Sequence, residues 1–172
     1  PLIETTYLYE GRNPIHNAMA FSPDGLKLAI GFASRIGGIS HSVEVWDIER
    51  ASSIASIDLY DEWNTTSPLR MDAVDFSPDG TWLVAGGLNV VHLIDTTSWE
   101  QIGTYRYGDK IAHLDYSPNG RWLVGVSIWS TLTIWDARTR ERKLVVEDVA
   151  INSVTFSPDG NQLSYYNDDA II

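Results

Sequence analysis

Cysteine is absent from this sequence of 172 residues. Disulfides, thiolate zinc sites and cysteine nucleophiles are excluded together. The same absence suits an oxidising compartment or a bacterial cytoplasm, so localisation stays unassigned with the cytoplasm as the default. No run approaches the ~20 apolar residues that a membrane-spanning helix needs. Basic residues are scarce, 12 Lys and Arg against 23 Asp and Glu, which leaves a net charge of −11. An anionic surface repels phosphate backbones and anionic lipids, so neither nucleic acid nor membrane is an expected partner. The one basic cluster, Arg138, Arg140, Arg142 and Lys143, reads as a solvated turn between two strands. Helical periodicity is missing as well. The sequence opens on Pro1 without a signal-peptide pattern, which reads as a piece of a longer chain.

What the sequence does have is repetition. "FSPDG" begins at Phe21, Phe76 and Phe156, and "YSPNG" at Tyr116, so the aromatic anchors stand 55, 40 and 40 residues apart. Each copy spells a turn. Pro23, Pro78, Pro118 and Pro158 preset the backbone angle of the first corner, and Gly25, Gly80, Gly120 and Gly160 can take the left-handed conformation that closes it. A short strand precedes each turn ("NAMAF", "AVDF", "AHLDY", "NSVTF") and a more apolar one follows ("LKLAIGF", "WLVAGG", "WLVGVSI", "QLSYY"). Leu28, Leu83, Leu123 and Leu163 each lie seven residues past their anchor. A third strand ("VEVWD", "VVHLID", "LTIWD") and a fourth ("IASIDLY", "QIGTYRY", "KLVVE") complete the first three units. The sequence predicts an all-β fold.

Units of about 40 residues that carry this turn and end their third strand in Trp-Asp resemble the blades of WD-repeat β-propellers. Trp46-Asp47 and Trp135-Asp136 match the dipeptide, and Asp95 follows an isoleucine in a degenerate copy. The resemblance covers nearly the whole chain and implies four-stranded antiparallel blades over residues 15–60, 71–107 and 111–147, with an incomplete one over 151–172. Residues 2–9 read as the outer strand of a preceding or closing blade. Three full blades and parts of a fourth do not close a ring, so the expected neighbours are the remaining blades of a longer chain or, as the lesser alternative, a second copy. Members of the family often carry Gly-His before the first strand, joined through Ser and Asp to the tryptophan; here Gly11-Arg12 stands in its place in the first unit and the later units lack it. Packing, rather than side-chain hydrogen bonding, is then expected to hold the blades in register.

Function in such a fold sits on loops, because the strands are scaffold. The first interval is longer than the others, and the excess falls in two places. One is "SRIGGISHS" between strands two and three; the other is "DEWNTTSPLR" after strand four. Both connections leave the blade on the same edge. Arg35, His41, Glu62, Trp63 and Arg70 are therefore the candidate partner-binding residues, since Trp and Arg recur as interface anchors. The plainer alternative is a neutral insertion with Trp63 covering its own blade. Asp75 and Asp115 share a register, and His113 shares a strand face with Asp115, which admits a metal or acid–base reading. The structural reading is preferred, because His-x-Asp along a strand commonly satisfies buried polar groups, and His92 has no assured route to that site. No HExxH spacing, G-x-S-x-G elbow or phosphate-cradling loop occurs. No catalytic residue, cofactor or metal is expected.

These readings point to a non-catalytic scaffold for a protein or peptide. The alternative is the propeller domain of a larger enzyme or signalling sensor whose active domain lies outside this segment. A self-sufficient propeller hydrolase would need more clustered acids and histidines than are visible.

Overall fold

The computed structural model describes residues 16–32, 42–59, 71–129, 131–147, 151 and 153–166. Strands β1 (His16–Phe21), β2 (Lys27–Phe32), β3 (Val43–Asp47) and β4 (Ser52–Ile57) form one antiparallel sheet in chain order. Next come β5 (Ala73–Phe76), β6 (Trp82–Gly86), β7 (Leu88–Asp95), β8 (Gln101–Tyr116), β9 (Trp122–Ser127), β10 (Leu132–Asp136) and β11 (Arg142–Val146), whose backbone hydrogen bonds join them into a single seven-stranded sheet. β12 (Ser153–Phe156) and β13 (Leu163–Tyr166) pair as a hairpin. No helix occurs among the described residues. The chain is all-β, built of antiparallel propeller blades.

The seven-stranded sheet is two blades sharing one strand. The first part of β8 pairs with β7, from Ile94↔Gln101 to Leu88↔Lys110, and its end pairs with β9, from Ile111↔Ser127 to Tyr116↔Leu123. Two strands read separately in the sequence are thus one, because the chain stays extended from the rim of one blade to the inner edge of the next. Gly108, at φ 94°, lies in the register irregularity between Arg106 and Lys110, just before the switch of partner. Residues 2–9 and the end of the chain past Tyr166 lie outside the described residues.

The turns explain why the hairpins form. In each, the glycine N–H donates to the serine carbonyl at 2.8 Å, and the glycine holds φ between 69° and 72°. The serine hydroxyl donates to the acidic or amide side chain two residues on, as Ser77 does to Asp79 at 2.6 Å and Ser117 to Asn119 at 2.8 Å. The same hydroxyl accepts the N–H of the residue five positions on, at the start of the second strand or just before it, Lys27, Trp82, Trp122 or Gln162, at 2.8–2.9 Å. These bonds to the serine hydroxyls hold Asp79 below the usual carboxylate range and take Asp159 down to about 2. A second repeated corner joins the third and fourth strands. There Asp47, Asp95 and Asp136 accept backbone N–H groups of the turn, and Ala51, Trp99 and Arg140 take left-handed φ of 46°, 59° and 63°.

Blades pack face to face. Leu83 shares one buried cluster with Val43 and Val45 of the preceding blade, Leu123 shares another with Val84 and Val91, and Leu163 packs against the cluster of Val124 and Val126. Each fully buried leucine contributes about 1.5–3 kcal/mol. The largest buried side chain, Trp135, is edge-on to Tyr105 at 5.8 Å between ring centroids and tilted against Tyr107 at 5.4 Å. Packing does not act alone, which corrects the expectation from the missing Gly-His. Tyr105 donates its hydroxyl proton to the Ala137 carbonyl at 2.9 Å, and Asp75 accepts the Tyr116 N–H at 2.8 Å. The basic cluster is also more than a solvated turn. The Arg140 guanidinium lies over Gly103, and Arg142 donates to the Arg106 carbonyl at 2.9 Å, so both arginines staple one outer strand to the next blade. Each of the three outer strands carries a β-bulge at the same register, opposite Trp46, Ile94 and Trp135.

Two substitutions test this frame by urea unfolding. Gly80→Val places a β-branched residue at φ 72° and should cost about 1–3 kcal/mol. Gly125→Val sets a side chain against the immobile Trp135 ring, where a Cβ already comes within 2.8 Å, and should cost about 1–3 kcal/mol or more. Wild-type stability in either variant would mean that the turn or the ring contact is misassigned.

Candidate functional site

The innermost strands of three blades, β1, β5 and the end of β8, border a groove of about 470 Å³. Strand alternation sends every second side chain of these strands toward a neighbouring blade. Met19 and Phe21 stand on β1 at 65% and 63% exposure, beside half-buried Asp75 and Asp115 and exposed His113. At the far end of the same strands Lys110 meets Asp72 at 3.5 Å.

Electrostatics separate the two aspartates from ordinary surface acids. Burial pushes the Asp75 carboxyl up to about 7, opposed by the hydrogen bond from the Tyr116 N–H and reinforced by the charge of Asp115. Burial also raises Asp115, and His113 opposes that shift. The site can therefore hold a proton near neutrality. Among the described residues no group of three or more His, Asp or Glu side chains is arranged to hold a metal ion. His92 does not line the groove; it is buried in β7, where its Nδ1 meets Gln101 Oε1 at 3.0 Å.

A second feature lies on one edge of the blades. In an antiparallel meander the second and fourth strands of every blade end on the same edge. On that edge Leu88 pairs across to Lys110, and the Ile128 N–H donates to the Lys110 carbonyl at 3.0 Å. Leu88 and Ile128 are each 46% exposed, and Trp129 beside them is 72% exposed. Three apolar side chains in solvent at hairpin tips are unusual, because turns normally carry polar residues there. Arg35, His41, Glu62, Trp63 and Arg70 lie outside the described residues. The strands that bound their segments, β2 to β3 and β4 to β5, end and begin on this edge. Leu88, Ile128 and Trp129 escape a reading based on loop length, since their connections are short; the signal that could reveal them is the apolar pair Ile128-Trp129 at a tight turn.

Asp75 generates a prediction with a definite sign. Its pKa is higher folded than the unfolded value of 3.8, so the folded chain binds the proton more tightly. The resulting stability is complete below about pH 4 and is lost as pH rises toward about 7. Asp75→Asn, whose carbonyl oxygen can still accept the Tyr116 N–H, should flatten that decline and be the more stable protein at alkaline pH. Equal pH profiles for wild type and variant in urea unfolding would show that Asp75 is solvated.

Comparison with known proteins bears on the repeats and the fold. The family described as WD domain, G-beta repeat, matches residues 66–95 and 99–136. No curated protein matches the chain. Among solved structures, hydrazine synthase from Kuenenia stuttgartiensis superposes with a TM-score of 0.70 at 24% identity, over 87% of this chain and 43% of that one. The chain thus spans less than half the length of that structure, and the likeness is one of fold.

Proposed function

The chain carries WD40 repeats, and on that premise we propose that it is a non-catalytic scaffold that holds a protein or peptide on the edge bearing Leu88, Ile128 and Trp129. Repeats of this family serve protein interaction. The single observation that carries the finer reading is the exposed apolar cluster around Lys110 on that edge. A large aromatic in solvent is a ready hot-spot anchor, and rigid strands fix it in place. Arg35, His41, Glu62, Trp63 and Arg70, outside the described residues, remain candidates for the same partner on the length of their segments in the sequence alone. A net charge of −11 favours a partner with basic residues around its apolar anchors.

A second reading makes the chain a docking or gating domain of a larger enzyme or sensor. It draws support from the chain's short span of the structure it resembles, 43%. A full-length sequence separates the two, since the second reading requires a catalytic or signalling domain outside these blades.

The scaffold reading is tested with a displayed peptide library selected on the wild-type protein. Selected peptides should bind Trp129→Ala at least roughly tenfold more weakly, with a smaller loss for Trp63→Ala combined with Arg70→Ala, while thermal unfolding stays unchanged. Peptides that bind the Trp129 variant as tightly as wild type would place the interaction elsewhere.

A further inference from the structure

Three of the four turns carry aspartate at their third position, and the other carries Asn119. The substitution leaves the turn itself intact. Asn119 Oδ1 accepts the Ser117 hydroxyl at 2.8 Å and the Arg121 N–H at 3.0 Å, as the aspartates do in their own turns. The difference lies on the opposite side of the group. Asn119 Nδ2 donates to the Asp159 carbonyl at 3.0 Å and reaches Asn161 Oδ1 at 3.4 Å, in the turn of the next blade. Neighbouring seams show what this changes. There crevices of about 330 and 340 Å³ open between the turns, and a Cβ on Gly80 or Gly120 would touch only the preceding proline ring, at 3.8 and 3.9 Å. At the seam after Asn119 the amide sits against Gly160 so closely that a Cβ there would lie 2.7 Å from it. Asn119 therefore latches the third blade to the fourth through a donor that aspartate lacks.

Asn119 also precedes Gly120, the only Asn-Gly pair in the sequence. We propose that Asn119-Gly120 is a deamidation site whose conversion releases the latch between the third and fourth blades. In this reaction the backbone nitrogen of Gly120 attacks Asn119 Cγ. The new N–C bond closes a five-membered succinimide, and the side-chain nitrogen leaves as ammonia, taking the Gly120 proton. Water then opens the ring, its hydroxyl adding to a carbonyl and its proton returning to nitrogen, to give aspartate or isoaspartate. No oxidant or reductant takes part. In the closed turn the Gly120 N–H is donated to the Ser117 carbonyl at 2.8 Å, and both ends of the Asn119 amide are bonded. The reaction therefore proceeds from the opened turn, and glycine offers the attacking nitrogen little steric shielding. Afterwards the seam cannot close as before. Aspartate at this position can rebuild the turn, yet it presents a negative oxygen to the Asp159 carbonyl; isoaspartate lengthens the backbone and disrupts the turn as well. Conversion is thus a one-way loosening of one seam, paced by local opening.

Two measurements test this. Wild-type protein is stored at mildly alkaline pH, folded or unfolded in urea, and the tryptic peptide 111–121, bounded by Lys110 and Arg121, is weighed for the one-dalton gain of amide-to-acid conversion. Gain in both samples, slower when folded, is expected; an unchanged mass in the folded sample while the unfolded one converts would overturn the proposal. Hydrogen exchange over β12 and β13 is then compared in Asn119→Asp and Asp79→Asn. Asn119→Asp should lose roughly tenfold in protection there, while Asp79→Asn, in a turn without a latch, should match wild type. Wild-type protection in Asn119→Asp, or an equal loss in both variants, would show that no latch exists.

Discussion

A serine hydroxyl that gives one hydrogen bond and takes another is the constraint on which every blade depends. It donates to the carboxylate or amide two residues on and accepts the N–H that opens the next strand, so one oxygen ties the corner to the hairpin it starts. The proline ahead of the corner and the left-handed glycine behind it leave that hydroxyl little choice of partner. Once the hairpin is fixed, strand alternation decides which side chains face the preceding blade and which the following one. A one-residue slip would reverse both faces at once. The order of the blades is therefore a consequence of local chemistry repeated at intervals.

Around that frame, polar groups supply what apolar packing cannot. Burial of leucine and valine is directionless, and it would tolerate sliding of one blade over another. Bonds such as Tyr105 to Ala137 and Asp75 to Tyr116 admit only one offset. Arginines at the rim act in the same sense. Arg142 reaches a backbone carbonyl of the neighbouring strand, and Arg140 occupies the space that Gly103 leaves open.

The architecture is legible in the sequence because its signals are local and repeat four times. A proline, a glycine and an aromatic at fixed offsets specify a turn and the burial of the strand beside it. Contacts between blades are not legible, since equivalent positions about 40 residues apart bond across one seam and not another, as Asn119 does with Asp159. In the sequence Asn119 is a tolerated stand-in for aspartate, and only the placement of the next turn gives its amide nitrogen a purpose. Loop length directs attention to Arg35, His41, Glu62, Trp63 and Arg70. Trp129 sits in a short connection, where composition rather than length carries the information.

The bulges of the outer strands have a consequence for how this molecule meets others of its kind. An unpaired strand margin offers amides and carbonyls at regular spacing, a template on which a stranger's strand can align. Here the spacing is broken at one register in β4, β8 and β11, each opposite the residue just before the aspartate that ends the third strand. An incoming strand would lose its match partway along whichever margin it approached. Fibrous growth by lateral addition is thereby disfavoured at the perimeter, even though Ile54, Ile102 and Leu144 lie there in contact with water.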